Sequence, residues 1–137
     1  MKYVAGLMFS PDGHQLAMVL KDRPKWQAGL FNAIGGKIES GEEPIQAMVR
    51  EFKEETGVET NVSDWQFFTR IEGEDFEVSF FTMFSDKVQD VKTQETETIH
   101  LINPYQLPMN IIFNMRWLIP AALEQQAVFP RLIKYRK

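Results

Sequence analysis

"GGKIESGEEPIQAMVREFKEETGV", residues 35–58, gathers Glu39, Glu42, Glu43, Glu51, Glu54 and Glu55 into one short stretch of a chain whose net charge is only −4. Its punctuation predicts a helix over 44–56. Pro44 suits a first helical turn, the acids before it suit the positive end of the helix dipole, and Gly57 suits the left-handed residue after a last turn. At about 100° per residue, Ile45, Met48, Val49, Phe52 and Thr56 fall on one stripe, with Arg50, Glu51, Glu54 and Glu55 roughly opposite. One face packs and the other is acidic.

Glu51 and Glu55 stand at i and i+4, a like-charge spacing that destabilises an isolated helix. Two carboxylates about 6 Å apart repel by roughly 0.7 kcal/mol in water and by about 2.8 kcal/mol at an effective dielectric near 20. Solvation is the ordinary explanation for a charged face, but a solvated face favours alternating sign, and only Arg50 accompanies the three glutamates. Arg50 can brace Glu54 at i+4 without neutralising the group. A hard divalent cation removes the repulsion, because Mg²⁺ takes carboxylate and carbonyl oxygens and keeps several waters. The helix reads as a metal platform.

Around that stretch the chain is ordinary in composition. Its 137 residues suit one domain, taken as 1–137, and 44% apolar with 25% charged residues is typical of a globular protein. There are no cysteines, which excludes disulfides, thiolate zinc sites and a cysteine nucleophile. The opening apolar run ends at Pro11, Asp12 and Gly13, too short for a signal peptide or a membrane span. A cytoplasmic protein with no membrane association is expected. The acidic balance argues against nucleic acid polymers, which are bound through many cationic contacts; the basic "RLIKYRK" at the end reads as a solvated tail.

Residues 3–9 and 14–20 read as a strand pair joined by the turn "SPDG", and "KDRPKWQAGLFNAI", residues 21–34, as a long loop running into a short strand. "WQFFTRI" (65–71) and "FEVSFFTMF" (76–84) suggest a hairpin, and another strand is expected near 98–103. From about Ile111 to Gln125 the apolar spacing is helical, with Pro120 starting, kinking or stopping a helix. Two helices and five or six strands make a mixed α/β layer fold.

The stretch also resembles a known signature. Gly36, Glu42, Arg50, Glu51, Glu54, Glu55 and Gly57 match every fixed position of the Nudix hydrolase motif, and Phe52 and Val58 fill its two apolar positions. The signature covers about one sixth of the chain, and the order of strands extends the likeness over nearly all of it. The resemblance implies an α/β/α sandwich with a mixed sheet and a loop-helix-loop metal site. It implies hydrolysis of a nucleoside diphosphate linked to another group, with Mg²⁺ or Mn²⁺ as cofactor. By match to the motif, Glu51, Glu54 and Glu55 are metal ligands together with a backbone carbonyl near Gly35 or Gly36, Glu42 supports them, and Arg50 orients a glutamate. In related hydrolases the general base is a helix glutamate or one from a later loop; "TQETETIH" offers Glu95 and Glu97, of which Glu97 is favoured.

Within the family the likeness is greatest to the MutT-like branch that hydrolyses nucleoside triphosphates, oxidised ones such as 8-oxo-dGTP included. "FNAIGGKIESGE" is similar to the Trp-Asn-x-x-Gly-Gly run found there, with Phe31 in place of the tryptophan. That likeness makes Asn32 and Asn114 candidate base contacts, and Phe31, Trp26, Phe113 or Trp117 candidate stacking partners. Arg23, Lys25 and Lys37 are candidate phosphate contacts. The proline or tyrosine expected past the signature for ADP-ribose or dinucleoside polyphosphates is missing, "GED" standing there. ADP-ribose, dinucleoside polyphosphates, nucleotide sugars and a capped RNA end remain alternative substrates. A non-catalytic nucleotide sensor is the alternative of another class; such sensors often lose signature glutamates, and none is lost here. The expected partner is a small nucleotide, and the expected assembly a monomer or homodimer.

Overall fold

The computed structural model describes residues 1–124, 130 and 132–135. Strand β1 (Lys2–Phe9) lies at the centre because its side chains are apolar on both sides. Val4 and Met8 point into one hydrophobic cluster, and Ala5, Leu7 and Phe9 into another across the sheet. Its neighbours are β2 (Leu16–Leu20), antiparallel, and β6 (Glu77–Phe84), parallel, so the sheet is mixed. The path continues outward through β3 (Phe31–Asn32) on one side and through β5 (Gln66–Glu72) and β8 (Leu132–Lys134) on the other. Strand β4 (Ile34–Lys37) pairs with β1, and β7 (Thr98–Ile102) with β2.

A helix covers each face. Helix α1 (Pro44–Thr56) packs Met48 and Phe52 with Trp65, Phe81 and Met83. Helix α2 (Met115–Leu123) packs Met115, Leu118 and Ile119 with Leu7, Phe9 and Phe80. This is the expected α/β/α sandwich. The Met48 side chain of α1 lies directly over Gly6, where a Cβ would stand 2.7 Å from its Cε. No described helix is long and apolar enough to cross a membrane.

The long loop over residues 21–34 runs into the short β3 as expected, and β4 follows at once, its Gly35 letting the chain lie directly on β1. A Cβ on Gly35 would fall 1.9 Å from the Val4 carbonyl oxygen. Helix α2 begins at Met115 rather than near Ile111, which is instead bridged to Phe31, and Pro120 sits inside it close to the end. Gln125 lies outside the described residues. Finally, the basic end is not wholly a solvated tail: Leu132–Lys134 forms β8, parallel to β5.

Phe52 is fully buried and meets Trp65 edge-on at 5.2 Å, so it ties α1 to the sheet. Phe52→Ala should cost about 3–5 kcal/mol, read as a lower midpoint in urea unfolding.

Candidate functional site

Strand β4 ends at Lys37, and the chain crosses a turn at Gly41, with φ of +80°, before α1 begins. Pro44 occupies the first turn, and the Gln46 side chain accepts the Glu43 N–H at 2.9 Å. At the other end Gly57 takes the left-handed conformation, φ +79°, and donates to the Lys53 carbonyl. Thr56, buried, donates its hydroxyl back to the Phe52 carbonyl at 2.6 Å. Both ends of the helix are thereby fixed, and so is the rotation of its glutamates.

Arg50 is the centre of the acidic face. Its Nε and Nη2 donate to both oxygens of Glu42, at 2.7 and 2.9 Å, in a bidentate pair. Nη1 donates to Glu51 at 2.8 Å and to Glu54 at 3.2 Å, and Nη2 also reaches the Lys37 carbonyl at 3.0 Å. One guanidinium therefore joins the loop, the strand end and the helix. Hydrogen bonding to Arg50, more than its burial opposes, holds the Glu42 carboxyl below its ordinary value. Among the described residues no three acidic or histidine side chains already converge as ligands; Arg50 lies amid Glu42, Glu51 and Glu54 instead.

The three helix glutamates occupy different surroundings. The Glu54 side chain is 50% exposed, that of Glu51 15%. Glu51 lies under Gly36, where any Cβ would come within 2.5 Å of its carboxyl carbon, so only glycine leaves room for that carboxylate. Burial raises the Glu51 pKa, Arg50 opposing and Glu54 and Glu95 adding to the rise. Glu55 departs from the helical-wheel expectation. It is buried with the packing face rather than opposite it, and its Oε2 is buried without a hydrogen-bond partner. Burial first, then the charge of Glu51, pushes its carboxyl from an ordinary 4.5 up to about 8. A buried carboxylate with an orphaned oxygen beside a second crowded carboxylate is a donor set suited to a hard divalent cation.

The later loop meets the site at two places. Glu95 is exposed, and its charge acts on both Glu51 and Glu55. Glu97 is 13% exposed at its side chain and is engaged on both oxygens, by Lys21 Nζ at 3.0 Å and by the Asp22 N–H at 2.8 Å. Burial alone would raise its pKa, but those donors outweigh it and leave the carboxyl below its ordinary value. Lys21 is a residue that sequence reasoning missed, since a lone lysine at a strand end carries no signal of a partner so distant in the chain.

The remaining candidates lie along the β2–β3 loop and before α2. Arg23 and Lys25 are exposed, as is Lys37. Asn32 is half-buried; its Nδ2 donates to Gln27 Oε1 at 3.1 Å and its Oδ1 accepts the Ala33 N–H. Gln27 was not among the sequence candidates. Phe31 meets His100 edge-on at 5.5 Å, so part of its ring packs within the protein. The 108–117 segment is drawn to this loop, with the Asn110 carbonyl accepting the Phe31 N–H and its side chain donating to the Gly29 carbonyl. Asn114 precedes α2 with no capping bond from its side chain, and Trp26 and Phe113 are exposed.

Residues 1–123 match the NUDIX domain family. A curated relative, CTP pyrophosphohydrolase from Escherichia coli, is 44% identical over 50 residues, covering 35% of this chain and 37% of that protein. The chain thus matches little more than a third of that relative's length. A MutT structure from work on Aliivibrio salmonicida and Vibrio cholerae superposes with a TM-score of 0.65 at 25% identity, over 79% of this chain and 89% of that one. The NUDIX domain of Shewanella oneidensis NrtR, solved with ADP ribose, gives 0.75 at 18% identity over 93% and 88% of the two chains, a likeness of fold. The chain belongs to the Nudix hydrolase family, on its MutT-like side. Enzymes of this family generally use divalent metals such as Mg²⁺.

The buried Glu55 gives a signed pH dependence. Its folded pKa lies above its unfolded one, so between about pH 4.5 and 8 the folded state holds a proton that the unfolded state has lost. Without metal, this group should lower stability as pH rises through that window, by up to about 1.4 kcal/mol per unit. In EDTA, Glu55→Gln should flatten the fall in Tm from pH 5 to 8, as followed by circular dichroism.

Proposed function

We propose that this protein hydrolyses a nucleoside triphosphate to the monophosphate and pyrophosphate, with Mg²⁺ as cofactor and Mn²⁺ able to substitute. The observation that carries the reading is the buried, unpartnered Glu55 oxygen beside Glu51 in its glycine recess. Glu51, Glu54 and Glu55 would hold the cation with the Gly36 carbonyl. Bound there, a divalent ion supplies positive charge against the phosphate oxygens and lowers the pKa of a water. Arg50 keeps Glu51 and Glu54 oriented as their surroundings change. Arg23, Lys25 and Lys37 contact phosphate oxygens in this reading.

The base role falls better to Glu95 than to Glu97. Both oxygens of Glu97 already accept hydrogen bonds, which makes it a weak proton acceptor, whereas Glu95 is exposed and near enough to act on Glu51 and Glu55. Its carboxylate would take the proton of the attacking water. At the other end of the substrate, Asn32 is fixed by Gln27 and Ala33 with one Nδ2 hydrogen left over, suiting it to donate to an acceptor on a base edge. Asn114 and the faces of Phe31 and Phe113 complete the proposed base contacts. The CTP named for the partial relative supports a triphosphate; the ADP ribose bound to the NrtR domain belongs to a protein alike in fold alone.

Turnover should fall by about a thousandfold or more in Glu54→Gln and Glu55→Gln with the fold kept, and by about a hundredfold or more in Glu95→Gln. Near-normal rates in folded Glu54 and Glu55 variants would refute the metal assignment, and an unchanged Glu95→Gln would move the base elsewhere. Substrate is tested by pyrophosphate release from CTP, dCTP, dGTP and 8-oxo-dGTP, with phosphate-bond cleavage of ADP-ribose, a nucleotide sugar and a dinucleoside polyphosphate followed beside it, with and without Mg²⁺. A preference for a non-triphosphate would overturn the assignment, and binding without turnover would favour a sensor.

A further inference from the structure

The loop between Lys92 and Glu97 connects two parts of the molecule that share no strand or helix. At one end the Lys92 N–H donates to the Thr56 carbonyl at 3.0 Å, the last residue of α1, and Gln94 lies over Gly57, where a Cβ would come within 2.8 Å of its Nε2. At the other end Glu97 gathers donors from three consecutive residues: Lys21 Nζ at 3.0 Å, the Asp22 N–H at 2.8 Å and, more weakly, the Arg23 N–H at 3.4 Å. The β2–β3 loop is closed at its own neck by Lys21 N–H to Leu30 and Gly29 N–H to Lys21. Beyond that neck the cationic side chains are exposed, and Arg23 stands 3.9 Å from Asp22.

We propose that Glu97 is a positioning residue: by clamping Lys21, Asp22 and Arg23 it fixes the start of the β2–β3 loop, so that Arg23 and Lys25 face phosphate groups seated at α1. The assignment rests on the triphosphate reading for the identity of those phosphates, and on geometry alone for the clamp. An ion pair open to water would contribute little. This one is largely covered and carries main-chain donors as well, so loss of the carboxylate leaves the Asp22 N–H without its partner. A loop displaced by an ångström misaligns the groups it carries without touching the chemistry directly.

The test compares the full chain with Glu97→Gln, Glu97→Ala and Lys21→Met. Amide hydrogen exchange should quicken about tenfold at Asp22 and Arg23 in the Glu97 variants while Met18 and Val19 in β2 keep their protection. Affinity for inorganic pyrophosphate, measured calorimetrically in Mg²⁺ buffer, should weaken about tenfold, and KM for the preferred triphosphate should rise by a similar factor with kcat within about twofold. If Glu97→Ala fails to fold, Glu97→Gln, which keeps the shape and one acceptor, carries the comparison. Unchanged exchange at Asp22 and Arg23 would overturn the clamp, and faster exchange with unchanged pyrophosphate affinity would overturn its positioning role. A collapse of kcat at constant KM would instead place Glu97 in the chemistry. Exchange and pyrophosphate binding need no turnover, so an enzyme inactive on every triphosphate would defeat the functional reading and leave this one to be decided on its own.

Discussion

Carboxylates brought close together in a partly covered place must be offset by positive charge, and in this protein Arg50 performs that office for three of them, Glu42, Glu51 and Glu54. Its planar fork matches Glu42 on two atoms while still reaching Glu51, Glu54 and the Lys37 carbonyl. A lysine, a point charge on a flexible stem, could not meet these acceptors in one geometry. The ion pairs are therefore as much a matter of shape as of charge. They hold the loop before α1 against the helix and keep the glutamates from splaying apart.

Burial along α1 then separates the three glutamates that repulsion alone would make equivalent. Glu54 faces water, Glu51 lies in a recess that only glycine can provide, and Glu55 is turned inward with one oxygen unpartnered. Glu55 is costly to ionise by itself, because burial and the nearby charge of Glu51 both favour its proton.

Much of this was legible because it is local. Pro44 and Gly57 mark the ends of α1, "SPDG" marks the first hairpin, and the aromatic runs on either side of "EGED" mark the second. The acidic face could be read from spacing, and so could the Nudix signature. What spacing missed depends on contacts between residues far apart in the chain. Glu55 was read with the acidic face, since residue type argues for water, and only packing against the sheet turns it inward. Strand β8 looks like a charged tail until β5 offers it an edge. Glu97 offered itself as a free acid in a loop, and its engagement by Lys21 joins positions 76 apart in the chain. No local pattern announces such a pair.

Gly6 matters beyond its place in the core. Helix α1, 13 residues long, extends for about 20 Å, and its Met48 side chain is seated directly over the bare backbone of β1. A methyl added at Gly6 would press first on the thioether end of Met48, 2.7 Å away, and on the Trp65 ring, 3.0 Å away. A methionine bends aside more readily than an indole, so the missing side chain keeps open a berth shared by the helix that carries the acids and the ring on which Phe52 leans.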